Sequence, residues 1–589
     1  MTGATFRPHV LGRLGTGSAA RTMRRAAIGL AAGVLASAFL VSALGSVALG
    51  VALGASVGLS YGLATPHRPG TALEALMAAA ALGVPLWALF SVLLVPLASV
   101  DHPMWTAAEM RALLPQFLGW VLYAATLGVV GAGASAALRR WLGPEPDPSP
   151  AAEPAARRVL ILGGGFAGVA TAVELERLLG ADRSVRVTLV SETNALLFTP
   201  MLAEVAGSAL EASHISTPLR GSLRRTEVVR GSVRAVDLAA RRATVAGHVT
   251  VELPYDHLVL ALGSVTNHFG LERVARYALG FKSLREAVRI RNQVIDSFER
   301  AALERDPTRR HELLTFVVAG AGFAGVELAG ALNDFARSML ADHPSLSADD
   351  LAIVLLYPGE RILPELSPSL AGYAQERLAA RGVSFRPGAR VADARPGAFI
   401  LESGQEIRAR TLVWTAGTAP HPLIRTLGLE ISKRGSVLVD EALATARPGV
   451  WAAGDCAAVF DASSHEPCPP TAQCALREAR TVARNVYATL RGRRARPFHF
   501  ESLGALCVVG YQTACAELRL PFTRRHVRFS GLLAWMLWRL VYLSKLPGLE
   551  RKVRVLVAWT FELFFPRDVV QTMDPAEIEN AVDPERSSP

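Results

Sequence analysis

Three glycines with GxGxxG spacing, Gly163, Gly165 and Gly168, lie between a short apolar run and a segment with helical apolar spacing. In this order a strand leads into a tight turn, and the turn opens a helix. The first glycine permits the turn, the second lets a pyrophosphate approach the backbone, and the third lets the helix pack against the strand. Because the phosphates then face the positive end of a helix, the pattern predicts a dinucleotide site.

The same arrangement recurs at 315–327, with Gly320, Gly322 and Gly325 in the glycine positions. Two dinucleotide-binding folds in one chain bring two dinucleotides close together, and hydride transfer is the chemistry that uses such a pair. After the first fingerprint, a predicted strand at 185–190 ends next to Glu192. The carboxylate of Glu192 can bind a ribose hydroxyl there.

A third signal is Asp455, in the segment GVWAAGDCA at 449–457. A predicted strand ends there in Gly-Asp at the start of a helix, where the Asp455 carboxylate can hold a flavin ribityl hydroxyl. The alternative is an ordinary helix N-cap, which Asp after Gly often forms. Because two dinucleotide fingerprints precede it, the cofactor interpretation is preferred.

The apolar and positively charged residues are concentrated towards the two ends of the chain. The 589 residues are 51% hydrophobic and carry a formal net charge of +11. Residues 1–140 hold nine Arg against three acidic residues, and residues 519–554 hold nine basic residues against one acidic residue. Both regions adjoin apolar stretches, which indicates anionic lipid and argues against nucleic acid as a partner.

The five cysteines lie late in the chain and form no CxxC pair. This spacing fits neither a zinc site nor an iron–sulfur cluster, so no metal is predicted. It also favours a reducing compartment. The positions are Cys456, Cys468, Cys474, Cys507 and Cys515.

The N-terminal region is predicted to be a transmembrane module of four helices. No charged residue occurs between Ala26 and Pro66, a run long enough for two spans, and two more spans are predicted at 75–100 and 113–138. Glycines recur every four residues along the second span, which predicts close helix–helix packing. They are Gly50, Gly54, Gly58 and Gly62.

An even number of spans puts both ends of this module on one side, and both ends are rich in Arg. The positive-inside rule then predicts that the catalytic part faces the cytoplasm. The expected location is the inner (cytoplasmic) membrane of a bacterium, with the chain as a multi-pass protein. The predicted spans contain no ionisable residue, which favours a structural anchor over an ion pathway.

The predicted fold class is α/β, with two Rossmann-like domains between this all-α module and a C-terminal pair of amphipathic membrane helices. Residues 530–565 divide at Pro547-Gly548 into two helices that are expected to lie on a lipid surface. The residues expected at the membrane interface are Trp535, Trp538 and Tyr542, and those expected at anionic headgroups are Arg539, Lys545, Arg551, Lys552 and Arg554. The predicted regions are a membrane module at 1–140, a Pro-rich linker at 141–156, a first dinucleotide-binding domain at 157–312 and 426–495, a second dinucleotide-binding domain at 313–425, and a membrane-associating region at 496–589.

From about Arg157 to Phe565 the chain resembles the type II NADH:quinone oxidoreductases, within the two-dinucleotide flavoprotein superfamily. The matching motifs occur in the family's order. They are LGGGFAGV, NALLFTPMLAEVA, HISTPLR, YDHLVLALGS, FKSLREAVRIRN, GAGFAGVELAGAL, LVWTAGT, GVWAAGDCA, PPTAQCALREAR and the tryptophan-rich tail. The resemblance implies hydride transfer from NADH to FAD and two-electron reduction of a membrane quinone, without metals and without proton pumping.

The resemblance also implies roles for individual residues. The residues implied to bind FAD are Gly163, Gly165, Phe166, Ala167, Gly168, Glu192, Gly263, Asp455, Ala472 and Gln473. The residues implied to bind NAD(P)H are Gly320, Gly322, Gly325, Tyr357 and Gly417. The residues implied to act in catalysis are Glu327, Gln473, Arg477 and Glu478. For Glu327 the implied role is proton delivery or coupling of hydride transfer to quinone reduction, and the alternative is a first-turn acid favoured by the helix dipole.

Two positions depart from the family pattern. The strand after the second fingerprint usually ends in Glu, but here the position is Tyr357, with Arg361 nearby. Loss of the carboxylate removes a repulsion against a 2′-phosphate, so NADPH use is a hypothesis beside NADH. At the quinone site, Arg477 replaces the family's second Gln, and a cation there could stabilise an anionic reduced flavin.

One alternative function is disfavoured by the sequence, and two remain open. The disfavoured one is a dithiol reductase, because it needs a redox cysteine pair after the first fingerprint and residues 168–210 contain no cysteine. A flavoprotein redox sensor or scaffold that regulates the membrane module, and an NAD(P)H dehydrogenase with a non-quinone acceptor, are not excluded. The expected partners are a membrane quinone, the lipid bilayer and, as an open alternative, a second copy of the chain in a homodimer.

Overall fold

The computed structural model describes residues 18–64, 75–76, 79–96, 112–142, 157–519 and 526–571. It separates into two compact units, Met1–Ala152 and Glu153–Pro589. We call these the N-terminal unit and the C-terminal unit.

The described part of the N-terminal unit consists of helices. The helices are Ser18–Ala36, Ala38–Leu44, Val47–Ala64, Gly83–Trp87, the π-helical segment Ala88–Leu94, and Leu114–Leu142. Gly45 adopts a left-handed conformation, φ 66°, and ends the second helix, so the apolar run divides there. Trp120, Tyr123 and Leu127 lie at the centre of this unit, fully buried.

The predicted close packing of glycines is present between Ser18–Ala36 and Val47–Ala64. A Cβ on Gly58 would lie 2.4 Å from the carbonyl oxygen of Gly29, and one on Gly33 would lie 2.3 Å from that of Gly54. Only glycine permits this approach of two backbones, as in small-residue packing between membrane helices. The hydroxyl of Tyr123 also donates a hydrogen bond to the Gly54 carbonyl at 2.7 Å.

The four predicted spans are confirmed only in part. Among the described residues, Leu114–Leu138 has the length and the mean hydropathy, 1.7, of a membrane span. Met23–Ala36 and Ala38–Leu44 pass the same test together, although a 46° bend separates them, so the number is one or up to two. Val47–Leu63 and Gly83–Val92 are apolar but shorter, and part of the predicted span at 75–100 lies outside the described residues.

The C-terminal unit contains two parallel five-stranded sheets, each built around one fingerprint. The first sheet has the strand order Val450–Ala452, His257–Leu260, Arg157–Leu162, Val185–Ser191 and Glu227–Arg230. The second sheet has the order Leu279–Gly280, Thr411–Trp414, Thr315–Ala319, Ala352–Leu356 and Val383–Arg386. Their central strands are buried on both faces, as parallel strands covered by helices must be. The two Rossmann-like folds are therefore confirmed.

A short antiparallel ribbon joins the two sheets at their carboxyl ends. Ser264–Thr266, which follows the strand His257–Leu260 of the first sheet, pairs with Thr418–Pro420, which follows the strand Thr411–Trp414 of the second. Ligands bind outside the carboxyl ends of the strands in parallel sheets. The ribbon therefore holds the two expected nucleotide sites next to each other.

The remaining strands form small sheets around this centre. They are Ala195–Leu197 with Ser216–Pro218; Ser232–Asp237, Arg242–Ala246 and Thr250–Pro254; Val391–Arg395, Ala398–Leu401 and Glu406–Arg408; Val437–Leu438 with Ala457–Ala458; and Gly504–Val508, Ala514–Arg519 and His526–Ser530.

Two long helices continue from the fingerprints, and other helices cover the sheets. The helices are Phe166–Leu179, Leu202–Ala206, Leu219–Ser222, Glu272–Tyr277, Leu284–Leu303, Pro307–Leu313, Phe323–Met339, Pro368–Ala380, Ala472–Leu490, Gly531–Lys545 and Leu549–Phe561. Short 3-10 turns occur at Thr199–Met201, Ala212–Ile215, Leu340–Asp342, Ala348–Asp350 and Pro422–Thr426.

The last two helices, Gly531–Lys545 and Leu549–Phe561, form the C-terminal helix pair. Trp538 and Trp559 are 1% and 4% exposed and belong to the core that surrounds the second sheet. The prediction that Trp535 and Trp538 lie at a lipid surface is therefore wrong, because both indoles are buried in protein. The prediction for Arg539 is also wrong, because its guanidinium is buried and bonds Glu562 at 2.6 Å.

Candidate functional site

The first fingerprint forms a cradle that has room for phosphate only at Gly165. Gly163 has φ +119°, and a Cβ there would lie 2.0 Å from the Ala261 carbonyl oxygen. A Cβ on Gly168 would lie 1.8 Å from the Gly163 carbonyl oxygen. Gly165, at the N-terminus of the helix Phe166–Leu179, has open space where its Cβ would be. The first and third glycines thus serve packing, and the second faces the space where a pyrophosphate fits.

Glu192 and Asp455 lie at the carboxyl edge of the same sheet. Glu192 is exposed and accepts a hydrogen bond from the Ser232 hydroxyl at 2.7 Å, which orients its carboxylate. Asp455 follows the strand Val450–Ala452 and accepts a hydrogen bond from the Ser264 hydroxyl at 2.5 Å. Asp455 is therefore part of a side-chain network, and it is not an isolated helix cap.

Lys282 completes this network, and the sequence analysis missed it. Its ammonium group donates to the Ser264 hydroxyl and lies 3.7 Å from the Asp455 carboxylate. Burial lowers the pKa of Lys282, and Asp455 opposes that shift. The signal was available in the motif FKSLREAVRIRN, because Lys282 is the only Lys of the chain before residue 433.

Glu478 lies beneath the Gly-Asp turn. It is 4% exposed, and its carboxylate accepts a hydrogen bond from the backbone N–H of Gly454 at 2.6 Å. The Cys474 thiol donates to its other oxygen at 3.2 Å. Burial raises the pKa of Glu478, and the Gly454 N–H opposes that shift. In this position Glu478 holds the backbone that carries Asp455.

The other residues expected at the first cradle surround it. The rings of Phe166 and Phe198 pack edge to face, with their centroids 5.8 Å apart, and Ala167 is buried against Gly454. Gly263, φ +67°, begins the ribbon that joins the two sheets, and it faces open space. Ala472 is the first residue of the helix Ala472–Leu490, whose N-cap is Thr471. These positions suit a flavin dinucleotide that lies along the edge of the first sheet.

The second fingerprint repeats the geometry of the first. Gly320 has φ +117°, and a Cβ there would lie 2.7 Å from the Thr415 hydroxyl. A Cβ on Gly325 would lie 1.8 Å from the Gly320 carbonyl oxygen. Gly322 begins the helix Phe323–Met339, and the nearest atom to its Cβ position is a Glu365 oxygen at 3.5 Å. This cradle therefore also has its open position at the helix N-terminus.

Tyr357 and Arg361 lie after the strand that follows the second fingerprint, where the sequence analysis expected the ribose of the nicotinamide cofactor. Tyr357 is 2% exposed, and its buried hydroxyl has no hydrogen-bond partner among the described residues. The Arg361 guanidinium donates to the carbonyl oxygens of Pro364, at 3.0 Å, and Leu366, at 3.3 Å. Gly417 is covered by the ring of Phe269, which lies 2.7 Å from its Cβ position. A 2′-phosphate at this position would lie near the buried phenol of Tyr357 and near Arg361, whose guanidinium already donates hydrogen bonds to the backbone.

Gln473 and Glu327 hold one strand, Gly504–Val508, from its two ends. The Gln473 amide accepts from the Leu503 N–H at 2.9 Å and donates to the Gly504 carbonyl at 3.3 Å. Glu327 accepts from the Val508 N–H at 3.3 Å. Because Gln473 follows the first sheet and Glu327 follows the second, this strand connects the two halves of the candidate site.

Arg477 contacts the loop that precedes the strand Gly504–Val508. Its guanidinium donates to the Glu501 carbonyl and lies over the Phe500 ring, 5.2 Å from the ring centroid. The cation therefore stabilises the loop at 500–501 through the backbone and an aromatic ring.

Glu327 is the fifth residue of the helix Phe323–Met339, past its first turn, and it lines a small cavity. Burial raises the pKa of Glu327 to about 8, and the Val508 N–H opposes that shift. A carboxyl group with this pKa is protonated at neutral pH and can give up its proton, which suits general acid catalysis. A solvated first-turn acid would not show this shift.

The sequence analysis also missed Glu204, in the motif NALLFTPMLAEVA. It accepts a hydrogen bond from the Trp559 indole N–H at 2.9 Å and lines the same cavity as Glu327. Burial raises the pKa of Glu204 to about 7, and the nearby Arg539 opposes that shift. A lone acid in an otherwise apolar segment was the available signal.

Two family models match the C-terminal unit. Residues 157–479 match the pyridine nucleotide-disulphide oxidoreductase family, and residues 503–568 match the NDH2 C-terminal domain. The first match covers both fingerprints and Asp455, and the second covers the strand held by Gln473 and Glu327 together with the C-terminal helix pair.

The chain matches known relatives over most of the relatives' own length. The chain is 33% identical over 434 residues to the type II NADH:quinone oxidoreductase Ndh of Mycobacterium tuberculosis, covering 70% of this chain and 90% of that protein. It is 26% identical over 403 residues to the type II NADH:quinone oxidoreductase of Haemophilus influenzae, covering 64% and 90%. Among solved structures, NDH2 of Plasmodium falciparum in complex with NADH has a TM-score of 0.64 at 19% identity, covering 70% and 100%.

Proposed function

This chain belongs to the type II NADH:quinone oxidoreductase family, and we propose that its two cradles pass electrons from NADH to a quinone. The ribbon of Ser264–Thr266 with Thr418–Pro420 carries this conclusion, because it joins the carboxyl ends of both sheets. Bound FAD supplies the redox chemistry, accepting a hydride from NADH and passing two electrons onward. The residues present fit such a group, since the open Cβ position of Gly165 and the Asp455 network lie on one sheet edge.

The protein's part in this reaction is binding, orientation and proton handling. Gly165 and Gly322 leave room for the two pyrophosphates, Glu192 binds a ribose, and Asp455 with Ser264 and Lys282 binds the ribityl chain. Glu478 keeps the Gly454–Asp455 turn in place from below. Because hydrogen bonds among the protein's own side chains hold Glu192, Asp455 and Lys282 in place, little binding energy is lost in ordering them.

At the acceptor end we assign Gln473 and Glu327 to the quinone. Both side chains form hydrogen bonds with the strand Gly504–Val508, so a displacement of that strand would move both of them. Glu327 holds a proton at neutral pH close to the place where the quinone is reduced. Arg477 supports the loop at 500–501, so its replacement of a Gln alters the surroundings of the quinone without adding a free cation.

The C-terminal helix pair is proposed to rest on the membrane surface. One face is packed into the core, whereas the opposite face exposes large apolar side chains. Lys545, Arg551, Lys552 and Arg554 border that face and suit anionic headgroups. The exposed residues include Leu532, Leu533, Met536, Leu540, Leu556, Val557 and Phe561.

The N-terminal unit is proposed to anchor the enzyme in a bacterial inner membrane, with the C-terminal unit in the cytoplasm. The apolar helix Leu114–Leu138 and the Arg residues at both ends of the unit support this arrangement. A homodimer and the use of NADPH stay predictions.

Anaerobic stopped-flow absorbance of the detergent-solubilised full chain tests the function. We expect NADH to bleach the flavin and a soluble quinone to restore its absorbance. Bleaching without reoxidation by any quinone would show a different acceptor. Absence of bleaching by NADH and by NADPH would contradict the dehydrogenase function and favour a flavoprotein sensor.

A further inference from the structure

Reduction of a quinone by NADH consumes one proton, since NADH, H⁺ and quinone give NAD⁺ and quinol. Glu327 can hold that proton, and a carboxyl group that gives up its proton must be reprotonated in every turnover. The open question is which residue supplies this proton to Glu327, and its answer rests on the proposed function.

Glu327 and Glu204 line the same cavity of about 40 Å³. A cavity of roughly 10–15 Å³ or more can hold a water molecule when polar groups surround it. Glu204 comes from the short helix Leu202–Ala206, whereas Glu327 comes from the second fingerprint helix. The cavity therefore has room for water beside two carboxyl groups from different elements.

The cavity shares part of its wall with an open cleft. The cleft, of about 710 Å³ and open to the surface, has Asp334, Tyr511, Glu562 and Arg567 in common with the cavity wall. Asp334 is held by Arg381 and by the Tyr511 N–H, and burial raises the pKa of Asp334. Polar groups thus separate the open cleft from the cavity that Glu204 and Glu327 line.

Charged groups from several elements set the protonation of Glu204. Arg539, Glu562 and Arg567 of the C-terminal segment act on it, and Glu204 in turn acts on Glu327 of the fingerprint helix. Glu562 is already paired with Arg539 at 2.6 Å and with Arg567 at 3.2 Å. Glu204 lacks such an ion pair and accepts only the Trp559 indole N–H among its described hydrogen bonds. Tyr542 and Cys507 face Glu327 on its other side.

We propose that Glu204 passes protons from the solvent-open cleft to Glu327, which delivers them to the quinone. Glu204 is a positioning residue in this reaction, because it acts through Glu327 and touches neither cofactor nor quinone. Each transfer moves one proton between two carboxyl groups through the cavity, and no further redox partner is required.

Infrared spectroscopy of the full chain with bound FAD, recorded as a function of pH, gives a readout independent of turnover. The C=O stretching bands of protonated carboxyl groups should include one that disappears as pH rises through about 7 and one that disappears through about 8. Glu204→Gln should remove the first band and Glu327→Gln the second. Absence of the first band from the unsubstituted protein would overturn the proposal even if the variants failed to fold.

Stopped-flow kinetics then tests the transfer. Glu204→Gln should leave flavin reduction by NADH unchanged and slow reoxidation by quinone about tenfold, more strongly at higher pH. Glu204→Asp should recover part of the rate because it keeps the carboxyl. Glu211→Gln, an exposed acid seven residues along the chain, is the matched control and should leave both rates unchanged.

The outcomes separate this inference from the proposed function. If quinone does not reoxidise the unsubstituted enzyme, the proposed function itself fails. If the unsubstituted enzyme turns over and Glu204→Gln matches it in rate and pH profile, only the proton route fails. Equal losses in Glu204→Gln and Glu204→Asp would show that the side chain is needed for packing.

Discussion

The Glu478 carboxylate accepts a hydrogen bond from the Gly454 backbone N–H at 2.6 Å, 24 residues away in sequence. This contact fixes the turn that presents Asp455 to the first cradle. Glu478→Leu should weaken FAD binding about tenfold, since a hydrogen bond to a carboxylate contributes roughly 1.5–3 kcal/mol. Glu478→Gln keeps an acceptor and should bind FAD nearly normally. Flavin fluorescence titration of the apoprotein measures both, and equal affinities for the two variants would contradict this role.

The two kinds of glycine in the first fingerprint should respond differently to substitution. Gly165→Val fills open space, so the protein should fold but lose FAD. Gly168→Val forces a side chain against the Gly163 carbonyl oxygen and should prevent folding of the C-terminal unit. Circular dichroism and flavin content of the purified variants check this, and a folded Gly168→Val variant with full FAD content would refute it.

Tyr357→Phe should leave NADH oxidation unchanged and keep or raise stability. Its hydroxyl is buried without a hydrogen-bond partner, so removing it relieves a desolvation cost of about 1–3 kcal/mol that nothing repays. Steady-state kinetics and thermal unfolding measure the two effects. A large rise in KM for NADH would instead show that the hydroxyl contacts the nicotinamide cofactor.

Arg361→Ala should not change the preference between NADH and NADPH by more than about threefold, which corresponds to less than 1 kcal/mol. The reason is that its guanidinium already bonds the Pro364 and Leu366 carbonyls. The ratio of kcat/KM for the two cofactors is the measurement. A selective loss of NADPH activity would place Arg361 at a 2′-phosphate.

Gly58→Leu should destabilise the N-terminal unit by about 1–3 kcal/mol, because its Cβ would meet the Gly29 backbone. Gly133→Leu, in the helix Leu114–Leu142, is the control, since nothing lies near its Cβ position. Denaturation in detergent, followed by circular dichroism, compares them. Both variants should retain NADH oxidation with a soluble quinone, and equal stability of the two would argue against glycine packing.

The sequence by itself determined the two cradles and their order. Gly168 and Gly325 are required by contacts with the Gly163 and Gly320 carbonyl oxygens five residues earlier, and Gly163 and Gly320 by their positive φ, so their spacing specifies the local fold. The close packing along Gly54 and Gly58 was predictable for the same reason, because a four-residue repeat lies on one helix face. The number of membrane spans was not, since a 46° bend between Ala36 and Ala38 divides an apolar run without any break in hydropathy.

The tertiary structure alone decided what the polar side chains do. Glu478 and Gly454, Glu204 and Trp559, and Gln473 and Gly504 meet only after the sheets and the C-terminal helix pair have packed together. The same packing buries Trp535, Trp538 and Arg539, whose sequence pattern indicated a lipid surface. Local spacing therefore predicts backbone shape, whereas burial and charge depend on contacts between segments that are not neighbours in the sequence.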